Sequence, residues 1–129
     1  MSKSIYINLP AKDVAAAREF YTKTGFSINE QLSSDQSAVV VIDERIMLML
    51  VAEDFFKQNT KREIADTKTV SEVSLAIEVA NRGEVDKILE AALAAGGQQV
   101  GEAMEESGMY SRGFSDLDGH KLDVLCMTA

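Results

Sequence analysis

Residues 114–126 read "FSDLDGHKLDVLC" and hold the chain's single histidine, His120, and single cysteine, Cys126, beside Asp116, Asp118 and Asp123. Imidazole, thiolate and carboxylate are ligand types for a transition metal, and they also serve as general bases. The same letters also spell a tight turn. Aspartate side chains accept backbone N–H bonds, and Gly119 supplies a positive φ. His120 then opens a strand and alternates onto one face with Leu122, Val124 and Cys126, opposite Lys121, Asp123 and Leu125. On that aliphatic face the imidazole reads as a satisfied strand-end residue and the thiol as a small buried hydrophobe. The stretch is therefore read as a turn. Without a second histidine, a Ser–His or Cys–His dyad is open only through His120 itself. The sequence has no Gly-rich phosphate loop, CxxC, HExxH or GxSxG.

The elements that position these residues come in two similar rounds. "SIYINLP" (4–10) alternates, with Ile5, Ile7 and Leu9 opposite Tyr6 and Asn8, as a half-buried strand does. Asp13 is a suitable N-cap for a helix with Val14, Ala17, Phe20 and Tyr21 on one face, and Gly25 stops it. Strands are expected in "FSINEQL", "SAVVVID" and "RIMLMLVA", with "SSDQS" as a polar turn. After a charged segment, 53–71, the order restarts. "EVSLAIEV" is a strand, and "GEVDKILEAALAAGG" is a helix with Val85, Ile88, Leu89, Ala92 and Leu93 on one face. "QQVGEAME", "MYSRGFSD" and "HKLDVLCM" are strand candidates. The order is βαβββ, linker, βαβββ. The boundaries are module one 4–52, linker 53–71 and module two 72–128, within a single domain 1–129.

Composition narrows the function classes. The 129 residues suffice for a core without disulfides, and no apolar run reaches the roughly 18–20 residues of a membrane span. A formal net charge of −8 with scattered basic residues argues against nucleic acid, which requires a basic stripe. One cysteine fits a reducing compartment, and the N-terminus shows no signal peptide, so a cytoplasmic location is expected.

Two stretches carry a resemblance. "INLPAKDVAAAREFYTKTGF" (7–26) is similar to the strand–Asp–helix–"FY…LGF" opening of the vicinal oxygen chelate superfamily, which holds glyoxalase I, extradiol dioxygenases and bleomycin-resistance proteins. "FSDLDGHKLDVL" (114–125) resembles that family's "F.DPDG…E" ending. The resemblance implies an α+β fold, with two tandem βαβββ modules forming an open eight-stranded cup around a ligand. It also places the family's four metal ligands at Tyr6, Met49, Ser74 and Asp123, of which only the last is a ligand type. Metal and cofactor are therefore expected to be absent. A homodimer is implied by family habit.

Carried through, the alternation gives the cleft face Tyr6, Asn8, Met47, Met49, Ser74, Ala76, Asp123 and Leu125. Tyr110, Arg112 and Phe114 alternate along "MYSRGFSD" and are expected to join them, Arg112 as a fork for a carboxylate or phosphonate. The same residues would equally fill the cup as a second core. The expected function is binding of a small organic molecule without the usual metal site, either non-catalytic or metal-independent. One alternative is a glyoxalase-like lyase or isomerase with a displaced metal site around Asp123, Glu78 or Glu102. The other is a dimeric interaction module with a filled cup. Segment 53–71, with Phe55, Phe56 and Ile64 among charges, reads equally as an amphipathic helix, a plain linker or a dimer contact.

Overall fold

Asp13 and Gly25 bound the first helix, as their chemistry predicts. In the computed structural model, Asp13 Oδ1 accepts the Ala16 N–H at 3.0 Å, and Gly25 takes a left-handed φ of 112°. This helix, α1 (Val14–Thr24), buries Val14, Ala17, Phe20 and Tyr21. The rings of Phe20 and Tyr21 meet edge to face at 5.1 Å. The structure describes residues 2–127; the expected end of module two, residue 128, lies outside them with Met1 and Ala129. The chain divides into two compact units, Met1–Ala65 and Asp66–Ala129. The boundary between them falls inside the expected linker.

The first unit holds β1 (Ile5–Ala11), α1, β2 (Ser27–Ile28), β3 (Ser37–Asp43), β4 (Ile46–Ala52) and α2 (Glu53–Thr60). Its sheet runs β1-β4-β3-β2, with β1 parallel to β4 and the other pairs antiparallel. Directly opposite residues share a face, so Leu9, Leu50 and Ala38 form one row, and Ile7, Leu48 and Val40 another. Most of these are fully buried and form the core under α1. The expected strand "FSINEQL" shrinks to β2. Asn29 Oδ1 takes the Leu32 N–H at 3.2 Å, and Ser33 Oγ takes that of Val39 at 3.0 Å, a local turn that outcompetes pairing.

The second unit repeats the order with β5 (Ser74–Glu78), α3 (Arg82–Ala94), β6 (Gln98–Gln99), β7 (Met104–Glu106), β8 (Met109–Ser115) and β9 (Lys121–Met127). Its sheet runs β5-β9-β8-β6, with β5 parallel to β9 and β7 paired to β8. The described residues thus form nine strands rather than eight. The single strand expected at "QQVGEAME" is cut in two by Gly101 at φ 71°. Its second half returns as a hairpin through Ser107 and Gly108, at φ 55° and 74°, the double positive that a tight hairpin requires. Asn81 caps α3 by accepting the Glu84 N–H at 2.9 Å, and Glu84 reaches back to the Ala80 N–H at 2.9 Å. Val85, Leu89 and Ala92 face the core. Among the described residues, no helix is long and apolar enough to cross a membrane.

Candidate functional site

In the first unit, the face of the sheet turned away from α1 carries Tyr6–Met47–Val41, Asn8–Met49–Val39 and Pro10–Val51–Ser37 as facing rows. Strand alternation therefore places Tyr6, Asn8, Met47 and Met49 together on that face. Helix α2 follows β4 without a break and packs against β1 and β4. It presents Phe55, Gln58 and Asn59, spaced i, i+3, i+4, to an open pocket of ≈ 480 Å³. Asn8, Met49 and Val51 form its floor, and Ser34, Gln36 and Ser37 form a wall. That wall is fixed by backbone bonds from Ser34 N to Ser37 O and from Ala52 N to Gln36 O, both 2.8 Å. Tyr6 and Met47 share the face but lie outside the pocket, and Tyr6 is 45% exposed.

Within segment 53–71, residues 53–60 form a helix. Sequence reasoning missed Val51, Phe55, Gln58, Asn59, Ser34, Gln36 and Ser37 as pocket residues. The spacing of Phe55, Gln58 and Asn59 was the available signal.

The second unit corrects three assignments. Tyr110, Arg112 and Phe114 face α3, not the opposite side of the sheet. Tyr110 pairs with Cys126, Arg112 with Val124 and Phe114 with Leu122, and paired residues share a face. These are the residues that alternation puts on the aliphatic side. Phe114 is fully buried there. The Tyr110 hydroxyl donates to Asp86 Oδ1 at 2.7 Å. Arg112 Nη1 donates to Asp86 Oδ1 at 3.1 Å and Glu90 Oε1 at 3.2 Å. The Arg82 guanidinium stacks 4.1 Å from the Tyr110 ring centroid.

The electrostatics follow from these contacts. The Tyr110 hydrogen bond holds the Asp86 carboxyl below its usual range against the opposing effect of burial, helped by Arg112 and Arg82. The same bond, then burial and the charge on Asp86, push the Tyr110 phenol up. Burial works to lower the Arg112 pKa, but the bonds to Asp86 and Glu90 outweigh it and raise the value. Arg112 is thus committed to α3 and is not a fork for a ligand anion.

Ser74, Ala76, Asp123 and Leu125 do lie on the side away from α3, together with Glu78, Lys121 and Gly113. Asp123 accepts from Lys121 Nζ at 2.9 Å. Phenol, thioether, hydroxyl and one lysine-held carboxylate, at Tyr6, Met49, Ser74 and Asp123, do not make a donor set for a divalent metal.

The turn reading of "DLDGH" holds. Asp116 Oδ1 accepts the N–H groups of Asp118 and His120, both at 2.9 Å, and Gly119 has φ 82°. His120 is 1% exposed, with its Nδ1 3.0 Å from Glu72 Oε1. Thr67 Oγ1 donates to the Asp118 carbonyl at 2.6 Å, fastening segment 66–73 to the turn. The turn also gathers ligand atoms of Asp116, Asp118 and His120 within 4.8 Å, a group that could hold a cation. Asp123 is not part of it, so the displaced site considered around Asp123 is not what the described residues assemble.

A family model described as Glyoxalase/Bleomycin resistance protein/Dioxygenase superfamily matches residues 3–124. Among solved structures, hypothetical protein SA1046 from S. aureus is 26% identical with a TM-score of 0.83, covering 98% of this chain and 94% of its own. A glyoxalase/bleomycin resistance protein/dioxygenase family enzyme from Burkholderia phytofirmans PsJN is 18% identical with a TM-score of 0.81, covering 98% and 99%. Lactoylglutathione lyase from Agrobacterium tumefaciens is 22% identical with a TM-score of 0.67, covering 98% and 94%. No curated protein matches the sequence. With two units that follow the same sheet order, the second with β7 added, and a family match across nearly the whole sequence, the chain belongs to the glyoxalase/bleomycin resistance/dioxygenase superfamily.

Proposed function

We propose that this protein binds a small organic molecule in the pocket between α2 and the outer face of the first sheet, and does so without a metal. One observation carries the reading. Met49, Val51 and Phe55 give an open pocket of ≈ 480 Å³ an apolar patch, flanked by the amides and hydroxyls of the other lining residues. A concavity of that size, with an apolar patch beside neutral hydrogen-bonding groups, suits a small-molecule site. Asn8 and Met49 belong to it, and Tyr6 and Met47 share its sheet face. The same proposal takes the protein as a cytoplasmic homodimer that sequesters its ligand. Mass by light scattering checks the dimer.

Uptake of the neutral dye Nile red tests the pocket. Wild-type protein should enhance the dye's fluorescence, with or without EDTA, and Met49→Arg should abolish the effect while keeping the wild-type melting temperature within a few degrees. Loss of uptake in EDTA, or full uptake by the variant, would overturn the reading.

A second reading rests on the Asp116–Asp118–His120 group. It is less favoured because Asp116 Oδ1 already serves two backbone N–H groups and His120 Nδ1 faces Glu72. Metal analysis of tag-free protein separates the two. Near-stoichiometric metal lost in Asp118→Ala supports the cation site, and metal-free protein unshifted by Mg²⁺, Mn²⁺ or Zn²⁺ removes it.

A further inference from the structure

We infer that the α2 pocket selects an uncharged ligand with a flat apolar body and an amide, carbonyl or hydroxyl group at its edge. This inference rests on the pocket reading above and names the class of molecule. None of the nine lining residues is ionisable. The polar groups are the side-chain amides of Asn8, Gln36, Gln58 and Asn59 and the hydroxyls of Ser34 and Ser37. Each of these both donates and accepts, so together they match a group that does the same. Met49 and Phe55 offer a thioether and a ring, the surfaces on which a flat apolar body packs.

Charge is disfavoured on either side. A carboxylate entering the pocket loses hydration and meets no cation in the lining. The one guanidinium that sequence suggested for this task, Arg112, is engaged by Asp86 and Glu90 on α3. The cations nearest in sequence do not line the pocket either, and Lys57 is 3.6 Å from Glu63. Asp35 stands between lining residues 34 and 36 in sequence, and Glu53 and Asp54 open α2, so these chain neighbours of the lining offer an anion no partner. A cation likewise finds no carboxylate within the lining. A neutral hydrogen-bonding group satisfies the amides with no ion to desolvate.

The test is displacement of Nile red by three isosteres of different charge: 2-naphthoate, 2-naphthamide and 2-naphthamidine. The neutral amide should displace the dye at a concentration at least ten-fold below either ion. In Gln58→Lys, an exposed helix position, the order should reverse in favour of the carboxylate, which ties the preference to the lining. Equal or better displacement by either ion in the wild type overturns the ligand class while leaving the pocket standing. So does an amide that fails to displace bound dye. Absence of any dye uptake is a separate failure, that of the pocket itself.

Discussion

The two units share strand order, pairing direction and a capped helix, yet they use the two faces of their sheets in opposite ways. In the first, the helix side is aliphatic and aromatic apart from Thr24, and the far side is apolar too, with Met47, Met49, Val39 and Val51 beside Tyr6 and Asn8. In the second, the helix side contains the ionic network of Arg112, Asp86, Glu90 and Tyr110. Its far side is small and charged, with Ser74, Ala76, Gly113, Ser111, Lys121 and Asp123. One fold thus carries a pocket-forming surface in one copy and a self-satisfied polar surface in the other. Which residues the period-two alternation turns outward decides the chemistry, and the fold alone does not.

The sharpest way to break this contrast is Phe114→Ala. Fully buried on the helix side of the second sheet, Phe114 is core. Its truncation should cost about 3–5 kcal/mol in urea unfolding, with no specific effect on dye affinity at temperatures where the variant is folded. A stable variant with weakened binding would return Phe114 to a ligand-lining role and undo the face assignment.

Gly119→Ala tests a device found in the second unit. The turn at 116–120 is locked by Asp116 and by Thr67, whereas the first unit joins β3 to β4 with Glu44 and Arg45 alone. A Cβ at Gly119 would have to carry φ 82° and would collide with the Thr67 side chain. The expected loss is about 1–3 kcal/mol. Hydrogen exchange should show it as faster opening of segment 66–73. A neutral substitution would mean that Thr67 does not hold the turn.

A matched pair measures what the two units have in common. Asp13→Ala and Asn81→Ala each remove a side-chain cap from the helix of one unit. Each should cost about 0.5–2 kcal/mol by chemical denaturation. Asn81→Ala should be the milder if the reach of Glu84 to Ala80 partly holds that end. A cost from one cap and none from the other would show that the likeness stops at topology.

Much of this was legible in the sequence because it depends on local chemistry. Asp13, Gly25 and Gly119 announce a cap, a stop and a turn by residue type, and the stripe through Val85, Leu89 and Ala92 announces a helix face. What failed needed long-range register. "MYSRGFSD" alternates either way, and only its pairing with β9 reveals that Tyr110 and Phe114 face the helix while Ser111 and Gly113 face away. Had Cys126 and Leu122, already assigned to the aliphatic side, been aligned across the "DLDG" turn, they would have forced the correct parity. The pocket wall at Ser34–Ser37 was illegible for another reason. A polar turn binds nothing by composition, and its role appears only when α2 folds beside it.

The smallest effect concerns the ionic network that sets the second unit apart. Asp86 has its pKa lowered in the fold, chiefly by the Tyr110 hydroxyl and, against burial, by Arg112 and Arg82. A carboxylate with a lowered pKa stabilises the fold above its unfolded value of about 4. That contribution fades as pH falls through the folded value. Asp86 is about half exposed, with its side chain at 48%, so solvent screens the pairing. Asp86→Asn should therefore cost at most about 1 kcal/mol at pH 7. The gap to wild type should begin to narrow as pH drops below about 4 and vanish only once pH passes the lowered folded value, where both side chains are neutral. No corresponding pH-dependent gap is expected for a Val40→Ala control in the first unit, whose loss is a cavity and not a charge. Melting curves from pH 3 to 8 decide it. A gap for Asp86→Asn that holds constant across that range would mean its carboxylate is placed by packing alone, and that the two helix faces differ in composition without differing in electrostatics.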